Sequence, residues 1–174
     1  MLQDRSEAYA LLKHLGAPDR LLRHAQLVVQ AADQLLLEFQ ALRIPIDVHT
    51  VELGAILHDT GKISHPKELS EPGSLHERAG EALLLAHRVQ PAIARCCVSH
   101  GTWQLSGVSF EERVVALADK LWKGKRDSKL ELNIIDEVAV RLKSSRWDVF
   151  EKLDTVFEEI AAEGFERVEQ SRSS

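Results

Sequence analysis

The chain has little aromatic content, almost no cysteine and no long apolar run. Only 5% of its 174 residues are Phe, Trp or Tyr, and Tyr9 is the single tyrosine. An interior built from this sequence must therefore be filled by Leu, Val, Ile and Ala. The two cysteines, Cys96 and Cys97, are adjacent. Neighbours on a helix point apart and do not pair with each other, so they read as two small core residues in a reducing cytoplasm rather than a disulfide. No stretch approaches the ~20 apolar residues that a membrane-spanning helix needs. The opening "MLQDRSEAYA" has no apolar core of a signal peptide. A formal net charge of −5 argues against holding a nucleic-acid polymer through a general basic surface. What is present is ordinary for a globular domain: 44% apolar and 28% charged residues. The length suits one domain spanning 1–174. The sequence carries no signal of oligomeric state.

Helical periodicity recurs and strand-like alternation is nearly absent, which predicts an all-α fold, a single helical bundle. A first helix is expected over about 5–15, ending at Gly16, and a second over about 19–42. The second carries Leu21, Ala25, Val28, Ala32, Leu35, Leu36 and Phe39 on one stripe. Pro45 breaks it, and Asp47 can cap a third helix over about 48–58. Residues 59–73, with Gly61, Pro66, Pro72 and Gly73, read as a long functional loop. Gly61 is the expected terminator of the third helix. Ser74 with Glu77 predicts a capping box opening a helix over about 75–89. Pro91 opens one over about 91–100, closed by Gly101. Ser109 with Glu112 predicts another capping box, with that helix running to Lys123 and Gly124 as its left-handed terminator. Helices over about 130–143 and 147–163 complete the bundle, and the tail "GFERVEQSRSS" is expected to fray.

Eight histidines are distributed along the chain, and several sit where a core would not choose them. His24 lies on the long second helix beside Leu21, Leu27 and Val28, so it faces partly inward. His58 and Asp59 end the third helix in "ILHDTGKI". A helix C-terminus carries partial negative charge, so a carboxylate there needs a cation nearby. His100 ends another helix. Asp119 sits among Val115, Ala118 and Trp122, close to an apolar stripe, where an ionised acid is costly unless paired or metal-bound. Conflicts of this kind mark functional sites, and one divalent ion would resolve them together. Imidazole nitrogen and carboxylate oxygen suit Zn, Mn, Fe, Co or Ni.

The ordered series "LLRHAQLV", "ILHDTGKI", "SLHERAG", "VSHGTW" and "ALADKL" resembles the HD superfamily of metal-dependent phosphohydrolases. The resemblance covers about residues 20–126, with the helices over about 130–163 completing the domain. It implies an all-α bundle whose metal ligands converge from separate helices, and hydrolysis of a phosphoester or phosphoanhydride. His24, His58, Asp59 and Asp119 match the family's His, His-Asp and distant Asp, and imply one metal site. His76 and His100 match the two extra histidines of two-metal members, and imply a second ion with Asp59 bridging. Asp59 and Lys62 are the expected catalytic residues, acting with one or two divalent ions that lower the pKa of water toward neutrality. The Lys62 ammonium suits a non-bridging phosphate oxygen.

The expected substrate is a small phosphorylated metabolite of the nucleotide class, with a nucleotidase or a dinucleoside polyphosphate hydrolase as the implied types. The basic segment "DKLWKGKRDSK" puts Lys120 and Arg126 near Asp119 in sequence, where they are candidates for substrate phosphates. Trp103 and Trp122 follow His100 and Asp119 by three residues, and either is a candidate to stack on a base. The alternative is a catalytically inactive sensory module that keeps the fold, the metal and the nucleotide.

Overall fold

The computed structural model describes residues 1–173. Among them there are helices and turns and no strand, as the periodicity predicts. The elements are α1 (Arg5–His14), α2 (Asp19–Ala41), α3 (Val48–Leu57), α4 (Leu75–Ala86), α5 (Pro91–Ala94), α6 (Cys96–Ser99), α7 (Phe110–Leu121), α8 (Ser128–Arg141), α9 (Arg146–Ala162) and α10 (Gly164–Arg172). None of the described helices is long and apolar enough to cross a membrane.

α3 is the axle. It buries all but three of its ten residues, the pattern of a helix surrounded on every side. Helices α1, α2, α5, α6 and α7 pack around it. The side chain of Asp47 caps it by accepting from the Thr50 N–H at 3.2 Å. α2 presents the predicted stripe from Leu21 to Phe39 to this core. Aliphatic side chains fill most of the interior, with Phe39 and Phe157 the largest wholly buried ones. Cys96 and Cys97 are free and fully buried. Cys96 Sγ would stand only 2.7 Å from a Cβ added at Gly54, so the notch in α3 admits α6. The Cys97 thiol donates to the Leu57 carbonyl at 3.3 Å. Burial pushes both thiols up, so both stay protonated and inert.

The structure departs from the sequence reading at five places. Residues 59–73 are not a plain loop: they wind into two 3₁₀ turns, Thr60–Ile63 and Pro66–Leu69. The Ser74 capping box does not form. Glu68 takes its place, and its carboxylate accepts from the N–H groups of Leu75 and His76 at 3.1 Å each. The helix expected over 91–100 is two short pieces meeting at Arg95. Gly61 does not terminate α3 in the left-handed region, whereas Gly16 and Gly124 do adopt positive φ. Its role is close approach: a Cβ on Gly61 would overlap the His76 carbonyl and crowd the Gly80 N–H. The tail forms α10 instead of fraying, anchored by Arg167. That side chain is buried and donates to the carbonyl of Ile160 at 2.7 Å and to Glu163 at 2.8 Å. The Ser109–Glu112 capping box is present as predicted.

The Gly61–Gly80 contact presses the turn after Asp59 against α4, which carries His76. Replacing Gly61 by Ala must push these backbones apart. A loss of about 3 kcal/mol is expected, read by thermal unfolding as a Tm lower by roughly 6–12 °C for a chain of this size.

Candidate metal centre

Six side chains from α2, the α3 terminus, α4, the α6 terminus and α7 converge on one small volume. His24 comes from the first half of α2, and Asp119 from near the end of α7. His58 is the C-cap of α3, and His100 is the C-cap of α6. His76 is the second residue of α4. Adjacent residues on a regular helix point about 100° apart, so His58 and Asp59 cannot share a target within one. The helix stops between them. Asp59 leaves helical geometry at φ −103° and ψ 12°, and the Thr60 hydroxyl secures the bend by donating to the Leu57 carbonyl at 2.6 Å.

Three of the histidines are locked in one tautomer. His58 Nδ1 lies 2.9 Å from the Ala55 carbonyl, and His100 Nδ1 lies 3.0 Å from the Cys96 carbonyl. A carbonyl can only accept, so each Nδ1 donates. His76 Nδ1 likewise donates to the Glu68 carboxylate at 2.5 Å. In a neutral ring, Nε2 is then a lone pair, and all three Nε2 atoms face carboxylates. His58 Nε2 lies 3.3 Å from Asp119 Oδ1, His76 Nε2 lies 3.2 Å from Asp59 Oδ1, and His100 Nε2 lies 3.6 Å from Asp59 Oδ1. His24 Nε2 is 3.0 Å from Asp59 Oδ2 and 3.4 Å from His58 Nε2.

The two oxygens of Asp59 are thus divided: Oδ2 towards His24 and His58, Oδ1 towards His76 and His100. Donor atoms that share an ion at ~2.1 Å stand roughly 3–4 Å apart, which matches these separations. Three overlapping groups have the spacing to hold an ion: His24–His58–Asp59, His58–His100–Asp119 and Asp59–His76–His100. Asp59 Oδ1 and His76 Nε2 are buried, 3.2 Å apart and without a hydrogen-bond partner among the described residues. With the His76 ring neutral these are two acceptors facing each other in a buried site, which is costly, and a cation between them satisfies both. The residues therefore fit a divalent metal.

The charges point the same way. Burial opposes ionisation of Asp59, yet His58, His24 and His76 outweigh it and hold the acid well below the usual carboxylate range. Burial also works against Asp119, and His58 again prevails and lowers it. His58 is raised, because the pull of Asp59 and Asp119 exceeds its desolvation cost. His76 is raised by Asp59 and Glu68 against its burial. His100 is lowered, first by burial and then by the charge on His58. The pocket holds two carboxylates ionised and draws positive charge to them, and Lys62 Nζ supplies some of it at 2.7 Å from Asp59 Oδ2.

Of the residues singled out from sequence, His24, His58, Asp59, His76, His100, Asp119 and Lys62 are brought together. Arg126, Lys120 and Trp103 are not part of the cavity wall beside His24. The Arg126 guanidinium is held by Glu131 at 2.7 Å and Asp154 at 2.6 Å. Lys120 pairs with Asp127 at 3.4 Å, and Trp103 is half-buried against the core. Proximity in sequence to Asp119 misled here, because the acids that neutralise these cations lie on α8, α9 and the loop before them. Trp122 does line the cavity, its ring edge-on to His24 at 4.9 Å between centroids. Glu68, Arg20 and Ser171 reach the site without having been marked. Glu68 had no signal, since it lies eight residues before His76 within a stretch read as loop. Two wider grooves along α1, α2 and α3 carry no histidine.

An all-α bundle whose helices deliver four histidines and two aspartates to a buried centre defines a helical protein with a candidate metal centre. The chain matches the family model described as HD domain over residues 19–123, and it belongs to that family, a superfamily of metal-dependent phosphohydrolases. No curated protein and no solved structure matches the chain.

Glu68 orients His76 and sets its tautomer, and partners of this kind typically contribute 10–100-fold to metal affinity. Glu68→Gln keeps an acceptor for the α4 N–H groups but removes the charge. The expected outcome is about a 10–100-fold weaker binding of one ion, measured by metal titration of the metal-stripped chain, with the fold retained by circular dichroism.

Proposed function

We propose that the protein is a metal-dependent phosphohydrolase acting on a small phosphorylated metabolite of the nucleotide class. The observation that carries this reading is the division of the Asp59 carboxylate between two pairs of histidines. It supports one ion held by His24, His58, Asp59 and Asp119, and a second held by His76 and His100 with Asp59 shared. Divalent ions bound there would lower the pKa of water toward neutrality and neutralise charge on the substrate's phosphate.

The chain's own groups do the rest. Asp59 is almost fully buried, so its charge acts in a poorly screened setting. Lys62 is partly exposed on the cavity side of Asp59. It is placed to transfer its ammonium from the carboxylate to a non-bridging phosphate oxygen when substrate arrives. His24 and Trp122 form the adjoining wall. The aliphatic packing of α3 and α7 behind the cluster keeps bulk water to the open side. Both a nucleotidase and a dinucleoside polyphosphate hydrolase use this chemistry.

Asp59→Ala is expected to remove metal and turnover together. Elemental analysis would show loss of at least one ion per chain, and a phosphoester panel with Mn, Fe, Co or Ni would show activity down by about 1,000-fold or more. Full metal content with full turnover in this variant would end the proposal. Tight nucleotide binding by the wild type without hydrolysis under any metal would favour the sensory module instead.

A further inference from the structure

Arg20 stands one helical turn before His24 on α2, so the two side chains project from the same face. A cavity of about 120 Å³ opens there, bounded by Arg20, His24, Asp59, Lys62, Trp122 and Ser171. Among the described residues the only acid in its wall is Asp59, which is already directed at the histidines and Lys62. Arg20 makes no ion pair with a carboxylate among the described residues, and its Nη1 donates only to the neutral Ser70 hydroxyl at 3.0 Å. The indole N–H of Trp122 is buried and without an acceptor among the described residues. Two cations beside a metal centre form a wall suited to an anion with several acceptor oxygens.

The outer boundary of this cavity comes from beyond the matched family region, which ends at residue 123. α10 packs against α2 and α9, Arg23 Nη1 donates to the Gln170 carbonyl at 3.4 Å, and Ser171 closes the wall. Sites that engulf a whole small ligand run to about 300–1,000 Å³. The space here is well below that range, so it takes a phosphoryl group and not a nucleoside. Resting on the phosphohydrolase reading, we infer that Arg20 anchors the terminal phosphate of the substrate and that α10 keeps the leaving group outside. The substrate class is then phosphomonoesters, nucleoside monophosphates among them. Diesters and internal phosphoanhydrides, substituted on both sides of the phosphorus, do not fit. Hydrolysis breaks the P–O bond to the leaving alcohol. Water supplies the oxygen that stays on phosphorus and the proton that leaves with the alcohol, so inorganic phosphate is a product and a usable probe.

The test uses the full chain loaded with Mn. Inorganic phosphate binding is measured by calorimetry, and KM and kcat with mononucleotides, for wild type, Arg20→Ala and Arg20→Lys. Arg20→Ala should weaken phosphate binding and raise KM by roughly 10–100-fold, the range for losing a hydrogen bond to a charged group. Metal content and Tm should not change, and Arg20→Lys should recover part of the loss. Wild-type kcat/KM should vary by less than about tenfold among the four bases and fall by at least about 100-fold for a cyclic diester or a dinucleoside polyphosphate. Unchanged phosphate affinity in Arg20→Ala overturns the anchor, and a wild-type preference for the dinucleoside polyphosphate overturns the size limit. A wild type that loads metal but hydrolyses no phosphoester defeats the phosphohydrolase reading, while phosphate calorimetry still decides the role of Arg20.

Discussion

Everything in this protein is organised around a carboxylate that ought not to be where it is. Asp59 is 3% exposed, at the end of a helix whose partial charge repels it, and it is nonetheless held ionised. A buried anion is tolerated only when positive charge or donors surround it. Here that need is met from five directions by imidazoles and by Lys62. The cluster explains why α3 stops at Leu57, why the chain winds into a 3₁₀ turn after it, and why Gly61 and Gly80 meet without side chains.

The imidazoles can hold Asp59 ionised by carrying protons, as the raised His58 and His76 show, and a divalent ion would take the place of those protons. The carbonyls of Ala55 and Cys96 and the carboxylate of Glu68 take the Nδ1 protons of His58, His100 and His76. Each neutral ring then offers its Nε2 lone pair to the centre. Lone pairs directed at lone pairs describe a site shaped for a cation with several open coordination positions. The supporting acceptors sit on helices and in the 3₁₀ turn at 66–69, where Glu68 is also bonded to the start of α4, so the rings have little freedom to turn away.

The helices beyond the matched region do more than enlarge the core. α8 and α9 neutralise Arg126 through Glu131 and Asp154, which removes from consideration a cation that looked available. α10, held by the buried Arg167, brings Ser171 to the cavity beside Arg20 and His24. The entrance is therefore bounded by residues that are more than a hundred positions apart in the chain.

The sequence by itself determined the helical class, the stripe on α2 and the caps at Asp47 and Ser109, and its motifs, through the family resemblance, picked out the six side chains that meet at the centre. These are legible because each follows from a local rule or from a short motif with fixed chemistry. Periodicity depends on 3.6 residues per turn, capping on three, and His-Asp on two neighbours. The tertiary structure alone decided the rest. The partner of His76 is Glu68, because folding of the 59–73 segment, not sequence spacing, brings that carboxylate to the ring and to the start of α4. Gly61 serves close packing because a helix remote in sequence presses on it. The tail is ordered because a buried arginine finds carbonyls on α9. Which cations remain free for a ligand was likewise settled only by folding, since the acids that pair with Lys120 and Arg126 reach them through space, and no pattern along the chain encodes that distance.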